Sequence, residues 1–332
     1  MLANDLMPYK MTPGRMEQRL RRTSMIAYVA LAVAFAALAL GLLALFYGGS
    51  FAHARQPGNT LQGIDQPLTQ TQLAAINGAP NAYFEQAGEM MLNGTLNNPI
   101  LLNANRSLEY QPLVLNGKPS VVYVGAITCI YCGENRWAMA LALSRFGSFK
   151  ALYKGYSALG DGDVPTLYWT RVNYTTSRGV AFGNNYSSGY INFISADYET
   201  QISGGFVPPP SIAVIEGTAP NSTYAAALAF MNATHGYEGT PFTFWGVMLD
   251  KGADGIVFGN STPTSAGLTQ LAQMTHQQVI EQLSGFKSQF AWSEYAAADV
   301  YVSQVCAAIN NTAPVCGLPA IGKLESVAGI GS

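Results

Sequence analysis

The pattern of hydrophobic and polar positions separates one long apolar stretch from a mixed remainder. Met25–Tyr47 is an unbroken run of 23 residues without a charged side chain. At about 1.5 Å rise per residue, such a helix crosses a hydrocarbon core of roughly 30 Å. Five basic residues precede the run, and the next one after it is Arg55. The positive-inside bias therefore predicts a cytoplasmic N-terminus, residues 1–24, and an extracytoplasmic main domain.

A cleaved signal peptide is the alternative, because Ala52-His53-Ala54 has the A-x-A form of a cleavage site. The apolar run of 23 residues exceeds the usual signal-peptide core of about 7–15 residues. We therefore expect an uncleaved single-pass anchor in the cell membrane, with residues 25–47 in contact with lipid.

The mixed remainder predicts a tether with a helical cap followed by an α/β domain. Residues 48–98 are rich in turn-forming residues and carry short helical patterns at Leu68–Ile76 and Ala82–Leu92. From residue 99 to 332 strand and helix patterns are mixed. Strands are predicted at Ser120–Ala126, Thr166–Val172, Tyr190–Ser195, Ser211–Ile215, Phe242–Val247 and Gly255–Phe258. Helices are predicted at Gly133–Phe146, Thr223–Met231, Leu268–Leu283 and Trp292–Ile309.

Composition and charge narrow the classes of partner. Only 11% of the residues are charged and the formal net charge is -2, so no basic field is available for nucleic acid. Glycosylation sequons occur only after the apolar run, which agrees with an exported domain. They begin at Asn93, Asn105, Asn173, Asn185, Asn221, Asn232, Asn260 and Asn310.

The sharpest chemical signal is the pair Cys129 and Cys132, which are separated by two residues. The pair follows a predicted buried strand and opens a predicted helix, where backbone amides and the helix dipole stabilise a thiolate. A static disulfide and half of a zinc site are the alternatives. The histidines do not cluster with the cysteines, so we expect no metal and no cofactor.

A proline at the start of a later predicted strand supports a redox function for the cysteine pair. Pro241, in Gly239–Phe242, stands where a cis-proline would need a tight turn. Pro165 is a rival, but it lies too soon after Cys132 in the chain to leave room for a strand and a crossover helix. We therefore prefer Pro241.

Together these motifs resemble a mostly archaeal family of membrane-anchored thioredoxin-like proteins, known only as a domain of unknown function. The similarity spans about residues 62–317 and includes Asn116–Ala126, Cys129–Cys132, Arg136–Ala138, Gly239–Phe242, Met274–Gln278 and Pro314–Cys316. The family commonly has proline after the first cysteine, whereas Ile130 stands here. Because this dipeptide tunes the reduction potential, the direction of electron flow stays open.

The resemblance implies a thioredoxin-like fold with insertions, preceded by one transmembrane helix, and a thiol-disulfide oxidoreductase. Cys129 would attack and Cys132 would resolve the mixed disulfide. A cis Pro241 would shape the substrate groove, and the backbone of Thr240 would hydrogen-bond the substrate. The substrates would be exported cysteine-containing proteins, and a membrane redox partner is a further candidate.

The second pair, Cys306 and Cys316, is expected to form a structural disulfide that fastens the C-terminal tail. A relay that passes electrons to the first pair is the alternative.

A non-catalytic surface-binding protein with two static disulfides is the competing function. A Cys129 side chain covered by the Gly48–Asn98 segment would favour that function, and an accessible Cys129 would favour exchange.

Other polar and aromatic residues give weaker indications of a functional role. Glu134 and Arg136 follow the pair in the first turns of the helix and could tune Cys129, but charged residues there are usually solvated, and Trp137 is expected in the core. His235 and His276 could act as bases, but single histidines on polar helices are more often surface residues. The aromatic stretch Tyr168–Tyr198 is a candidate substrate-facing surface, with half-exposed strand tyrosines as the plain alternative.

Overall fold

A computed structural model of the protein describes residues 63–96, 113–127, 129–157, 164–172, 180–198, 201–202, 205–206, 212–235, 247–248 and 270–328. All of them lie in the second of two compact units, Gln56–Ser332. The predicted anchor at Met25–Tyr47, the cytoplasmic segment 1–24 and the residues Thr240 and Pro241 lie outside the described residues. Among the described helices, none has the length and apolar character needed to span a bilayer.

The described part is a mixed α/β fold, which confirms the predicted α/β class. Its helices are α1 (Gln70–Asn77), α2 (Asn81–Leu92), α3 (Ile130–Leu143), α4 (Ile212–Gly217), α5 (Ser222–His235), α6 (His276–Gly285), α7 (Gln289–Ala308) and α8 (Pro319–Ala328), with a 3-10 helix at Pro314–Gly317. Its strands are β1 (Val114–Leu115), β2 (Lys118–Ala126), β3 (Gly147–Ala151), β4 (Tyr153–Ser157), β5 (Val164–Tyr168), β6 (Val180–Phe182), β7 (Asn185–Ser188), β8 (Asn192–Tyr198), β9 (Gln201–Ile202), β10 (Gly205–Phe206) and β11 (Val247–Met248).

Strand β2 is the centre of a five-stranded sheet. On one edge it pairs in parallel with β8, from Ser120 opposite Asn192 to Ala126 opposite Tyr198. On its other edge it pairs antiparallel with β1 and β11. Strand β6 continues the sheet beyond β8. The strand that leads into Cys129 is thus held on both sides.

Both faces of β2 are buried, as its β-branched sequence predicts for a central strand. Because side chains alternate across a strand, Val121 and Tyr123 enter one core, whereas Val122 and Val124 enter another. The first core includes α3, α6, α7 and α1–α2; the second includes Ile215 from α4 and Leu228 from α5. The sheet therefore lies between two helical layers.

The helical hairpin α1–α2 belongs to the larger of these cores. Thr69 caps α1 and forms a reciprocal capping box with Gln72, so that the polar sequence before the helix fixes where it begins. Helix α1 packs against α6 and β3, while α2 packs against α7 and α8.

The hairpin β4–β5 packs against the start of α3. A side chain at Gly133 would meet the Ser157 Oγ at 2.5 Å, so only glycine allows this approach. The Thr166 hydroxyl donates to the Gly133 carbonyl at 2.6 Å. Sequence and packing together fix the first turn of α3 against the hairpin.

One predicted strand is wrong. Residues 211–215 were predicted as β-like, but Ile212–Gly217 is helix α4. A short apolar run fits a buried strand and a buried helix equally well by periodicity alone. Here Ile215 buries itself against the sheet from a helix that packs on α5.

Candidate active site

Cys129 and Cys132 lie at the start of α3, directly after the central strand. Cys129 is the N-cap residue with an extended backbone, and its carbonyl accepts the Gly133 amide at 2.9 Å. Cys129 is half-buried, whereas Cys132 is 2% exposed. The predicted order of strand, cysteine pair and helix is confirmed, with α3 beginning three residues earlier than the periodicity predicts. The half-buried cysteine is therefore the one that a large partner can reach.

Both residues carry thiols, and their side chains are hydrogen-bonded to each other. Burial raises the pKa of Cys132, but the hydrogen bond with Cys129, the charge of Arg136 and the backbone at Ala126 lower it by more. The net pKa of Cys132 is below that of an ordinary thiol. The hydrogen bond from the Cys129 thiol therefore stabilises a thiolate at Cys132.

A buried ion pair lies beside the thiols. Arg136, one helical turn after Cys132, is 0% exposed and its Nη2 donates to the Asp197 Oδ1 at 2.6 Å. The same nitrogen donates to the Ala126 carbonyl at 3.1 Å. The ion pair thus ties α3 to the ends of both parallel strands, β2 and β8.

Aromatic rings enclose the guanidinium. Its carbon lies 5.5 Å from the ring centroid of Tyr123 and 5.9 Å from that of Tyr168. Burial raises the pKa of Asp197 and the charge of Arg136 lowers it. In this environment of low dielectric constant, the charge of Arg136 acts on its neighbours with little screening.

Two carboxyl groups meet on the other side of α3, where it packs against α7. Glu134 is 1% exposed and Glu294 is 3% exposed. Burial raises the pKa of Glu134 well above its usual range, and the neighbouring Glu294 raises it further. Burial also raises the pKa of Glu294, to about 8. This pair is consequently protonated, at least in part, near neutral pH.

A hydrogen bond also joins α3 to α7 near the thiols. The Tyr301 hydroxyl donates to the Asn135 Oδ1 at 2.5 Å. Burial raises the pKa of Tyr301 well above its usual range, so that the phenol stays neutral. The start of α3 is therefore fixed from the sheet by Arg136 and from α7 by Tyr301.

The structure brings together two of the predicted site residues, Cys129 and Cys132. The other two, Thr240 and Pro241, lie outside the described residues. The rival proline, Pro165, lies in β5, and its carbonyl accepts the Trp137 Nε1 proton at 3.0 Å. No peptide bond within the described residues is cis, so that Pro165 is in a trans linkage.

The burial of two charged residues differs from the prediction. Glu134 and Arg136 were expected to be solvated, but both are buried. The available signal was the spacing of four residues from Cys132 to Arg136, which places them on one helix face. The partner Asp197 comes from a distant strand, and no local pattern indicates it.

His276 was also expected at the surface and is buried instead. Its Nε2 lies 2.8 Å from the Gly155 carbonyl and 2.9 Å from the Thr166 carbonyl, so this nitrogen donates to the two strands of the hairpin. Burial lowers the pKa of His276 to about 4. The imidazole is thus a neutral tie between α6 and the hairpin that supports α3.

The predicted aromatic surface is largely core. Tyr168 and Trp169 are 0% exposed, and Phe193 is buried against Trp169 with ring centroids 5.0 Å apart. Trp137 lies in the core as expected, at 0% exposure. Trp169 and Phe193 therefore stabilise the larger core, and Tyr168 belongs to a separate small cluster with Ile127 and Val172.

The second cysteine pair is a disulfide. Cys306, near the end of α7, is bonded to Cys316 in the 3-10 helix, with 5.4 Å between the two Cα atoms. Cys306 is 0% exposed and belongs to the larger hydrophobic core. Across the described part of the chain, no group of three or more His, Cys, Asp or Glu residues is arranged to hold a metal ion.

Comparison with known proteins gives one match. A family model described as a domain of unknown function (DUF929) matches residues 105–307. This stretch contains β2, α3, Arg136, Asp197 and the first cysteine pair. No curated protein and no solved structure matches the chain.

Proposed function

The chain belongs to the family of this domain of unknown function, DUF929, and we propose that it is a thioredoxin-like thiol-disulfide oxidoreductase. The observation that carries the proposal is the dithiol at the N-terminus of α3. A half-buried cysteine stands in front of a buried one whose thiol pKa is lowered. This combination suits a nucleophile that a substrate can reach and a resolving thiol that it cannot.

Strand topology around the pair supports the thioredoxin-like part of the proposal. A strand, the cysteine helix, a parallel strand, helices and an antiparallel strand follow one another as β2, α3, β8, α4–α5 and β11. Between α3 and β8 the chain adds β3–β7, which accounts for the proposed insertions.

The register of β11 supports roles for Pro241 and Thr240. Val247 lies opposite Tyr123 and Met248 opposite Val122. Because the pairing is antiparallel, the residues that precede Val247 run towards the end of β2 that leads into Cys129. Pro241 precedes Val247 by six residues. A cis Pro241 would face the pair, and the Thr240 backbone would pair with the substrate strand.

The chemistry follows from the two environments. In reduction, the Cys129 thiolate attacks a substrate disulfide, bonds to one substrate sulfur and expels the other as a thiolate; Cys132 then attacks the Cys129 sulfur and expels the bound substrate sulfur as a thiolate. In oxidation, a substrate thiolate attacks the Cys129 sulfur of the oxidised pair, and Cys132 leaves as a thiolate.

Two structural features support an exported, membrane-anchored enzyme. The Cys306–Cys316 disulfide is typical of oxidising compartments. Three sequon asparagines, Asn93, Asn221 and Asn310, are exposed. In this proposal Met25–Tyr47 anchors the chain in the cell membrane, and the substrates are exported cysteine-containing proteins, with a membrane redox partner to restore the pair.

The surroundings of Cys129 favour exchange over a static surface-binding protein. The static alternative requires the Gly48–Asn98 segment to cover the pair. In the described part of that segment, α1 packs on α6 and β3, and α2 packs on α7 and α8. Cys129 instead contacts the smaller core on the opposite side of the sheet and is half-buried.

Trapping tests the proposal. Cys132→Ser in the full-length chain leaves Cys129 able to form mixed disulfides but unable to resolve them. We expect adducts on non-reducing gels that disappear with dithiothreitol and are absent from the Cys129→Ser/Cys132→Ser double variant. If Cys129 reacts with iodoacetamide but Cys132→Ser forms no adducts in the native host membrane, the proposal is wrong.

A further inference from the structure

Resting on the proposed function, we propose that Arg136 makes Cys132 the leaving thiolate and thereby makes the pair a disulfide donor. The protein would oxidise dithiols in its substrates. The dipeptide between the cysteines contains no cation and leaves the direction of electron flow open. The buried cation Arg136 would set that direction.

The guanidinium of Arg136 is held through one of its three nitrogens. Nη2 is hydrogen-bonded to Asp197 and to the Ala126 carbonyl. Nε and Nη1 are buried and have no hydrogen-bond acceptor among the described residues. Unsatisfied N–H groups of a buried cation cost free energy, and an anion close by reduces that cost.

Cys132 is the group next to Arg136 that becomes an anion when the pair is reduced. It stands four residues before Arg136 on the same face of α3. The two groups act on each other, because a thiolate at Cys132 raises the pKa of Arg136 while Arg136 lowers the pKa of the thiol.

Other ionisable groups around Cys132 do not replace Arg136. Tyr123 and Tyr301 face it, but burial raises the pKa of both phenols well above the usual range, so they stay neutral. The charge of Asp197 raises the pKa of Cys132, but by less than the charge of Arg136 lowers it. Asp197 is the ion-pair partner of Arg136. The Cys129 thiol donates its hydrogen bond and adds to the effect of Arg136.

The step balances as a two-electron exchange. A substrate thiolate attacks the Cys129 sulfur of the oxidised pair, the Cys129–Cys132 bond breaks, and Cys132 leaves as a thiolate beside Arg136. A second substrate thiolate then attacks the substrate sulfur of the mixed disulfide and releases Cys129 as a thiolate, which takes up a proton. The substrate dithiol is oxidised and the pair is reduced. Leaving thiols of low pKa depart faster, and a stabilised reduced form makes the disulfide a stronger oxidant.

Arg136→Met in the full-length chain in detergent tests the role of the cation. The pair is equilibrated with reduced and oxidised glutathione, and Cys129 and Cys132 are quantified by differential alkylation and peptide mass spectrometry. We expect the equilibrium constant for reduction of the pair to fall about tenfold, which corresponds to a potential about 30 mV more negative. The pH at which the pair becomes alkylated should rise, and the oxidised pair should open more slowly with glutathione.

Two further variants keep the test valid if loss of one charge impairs folding. Arg136→Met with Asp197→Leu removes both charges, a change that is often tolerated in a buried pair. It should still lower the equilibrium constant, about threefold, because the effect of Arg136 exceeds that of Asp197. Arg136→Lys keeps the charge and should restore at least half of the lost shift.

Arg145→Met is the matched control. Arg145 follows α3 and is largely buried, and it donates to the carbonyls of Asn77 and Ala79 at the opposite end of the helix. It should lower stability without moving the potential or the alkylation profile.

The outcomes separate this inference from the proposed function. If the wild-type pair exchanges with glutathione but Arg136→Met and the double variant keep the wild-type equilibrium constant, the role of Arg136 is wrong and the oxidoreductase stands. If the wild-type pair itself does not exchange, the oxidoreductase proposal fails first. A reduction constant that rises in Arg136→Met would also overturn the inference.

Discussion

The two cysteine pairs have the same side chains in opposite surroundings. Cys129 and Cys132 are thiols at the beginning of a helix, next to a buried ion pair. Cys306 and Cys316 form a disulfide that joins the last turn of another helix to the segment after it, in an apolar core. The neighbours of a cysteine pair, and not its sequence spacing alone, therefore differ between the two thiols and the crosslink.

Backbone geometry reinforces the difference. Asn310 and Asn311 have positive φ angles of 53° and 56°, and the Asn311 amide donates to the Cys306 carbonyl at 2.7 Å. This tight turn brings the chain back to α7, and the disulfide closes it. At Cys129 the backbone is extended, which leaves the first turn of α3 open at its amide end.

The largest effect on stability is expected from the buried ion pair beside Cys129 and Cys132. Asp197→Ala leaves Arg136 buried without its partner, and we expect a loss of about 3–5 kcal/mol in the free energy of unfolding. Urea denaturation followed by circular dichroism measures it. The control is Glu89→Ala, which breaks the exposed ion pair with Lys323, at 2.7 Å against 2.6 Å for Arg136 and Asp197. Exposed pairs contribute little, so a similar loss in both variants would contradict our interpretation.

Removal of the crosslink is expected to have the next largest effect. Cys306→Ala/Cys316→Ala opens a loop with a sequence separation of 10, and chain entropy predicts a loss of roughly 3 kcal/mol or less. The matched variant Cys129→Ala/Cys132→Ala removes two thiols without opening a crosslink and should cost about 1 kcal/mol. Equal losses in the two double variants would remove the distinction between the pairs.

The sequence predicted the element order around the first pair because that order depends on local patterns. The β-branched run Ser120–Ala126 and the helical spacing after Gly133 correspond to β2 and α3. The helices predicted at 68–76 and 82–92 correspond to α1 and α2. Strands β3 and β4 escaped prediction because short, partly polar strands have no period long enough to detect.

The charged part of the site depends on contacts between distant residues. Arg136 and Asp197 are 61 positions apart in the chain, and nothing near either residue indicates the other. Because charged side chains are mostly exposed, the sequence predicts a solvated Arg136. Only the parallel register of β2 and β8, which ends beside α3, brings the aspartate to the arginine.

The third effect is smaller and concerns how the free energy of unfolding depends on pH. Glu294 lies on α7, which connects them, and its pKa is raised to about 8 by burial. A raised pKa stabilises the fold at low pH, and this stability is lost as pH rises from about 4.5 to about 8. Glu294→Gln cannot ionise, so the decline in unfolding free energy between pH 5 and 8 should shrink by about 2 kcal/mol. Denaturant midpoints across this range measure it, and an unchanged slope would show that Glu294 is not the responsible group.

The smallest effect tests the hydrogen bond between the two regions. Tyr301 precedes Cys306 by five residues and Asn135 follows Cys132 by three, so their 2.5 Å hydrogen bond is a direct tie between the helices of the two pairs. Tyr301→Phe should lower the unfolding free energy by about 1 kcal/mol, because it leaves the Asn135 acceptor without this donor.

Tyr83→Phe is the matched control, because its hydroxyl donates to the Ser284 carbonyl at 3.2 Å in an exposed position. Water can replace that bond, so the loss should be smaller than for Tyr301→Phe. Hydrogen exchange should also speed up in the first turns of α3 in Tyr301→Phe and stay unchanged around the Cys306–Cys316 disulfide. Faster exchange in both places would mean that α7 transmits the change, and that the two cysteine pairs belong to one cooperative unit.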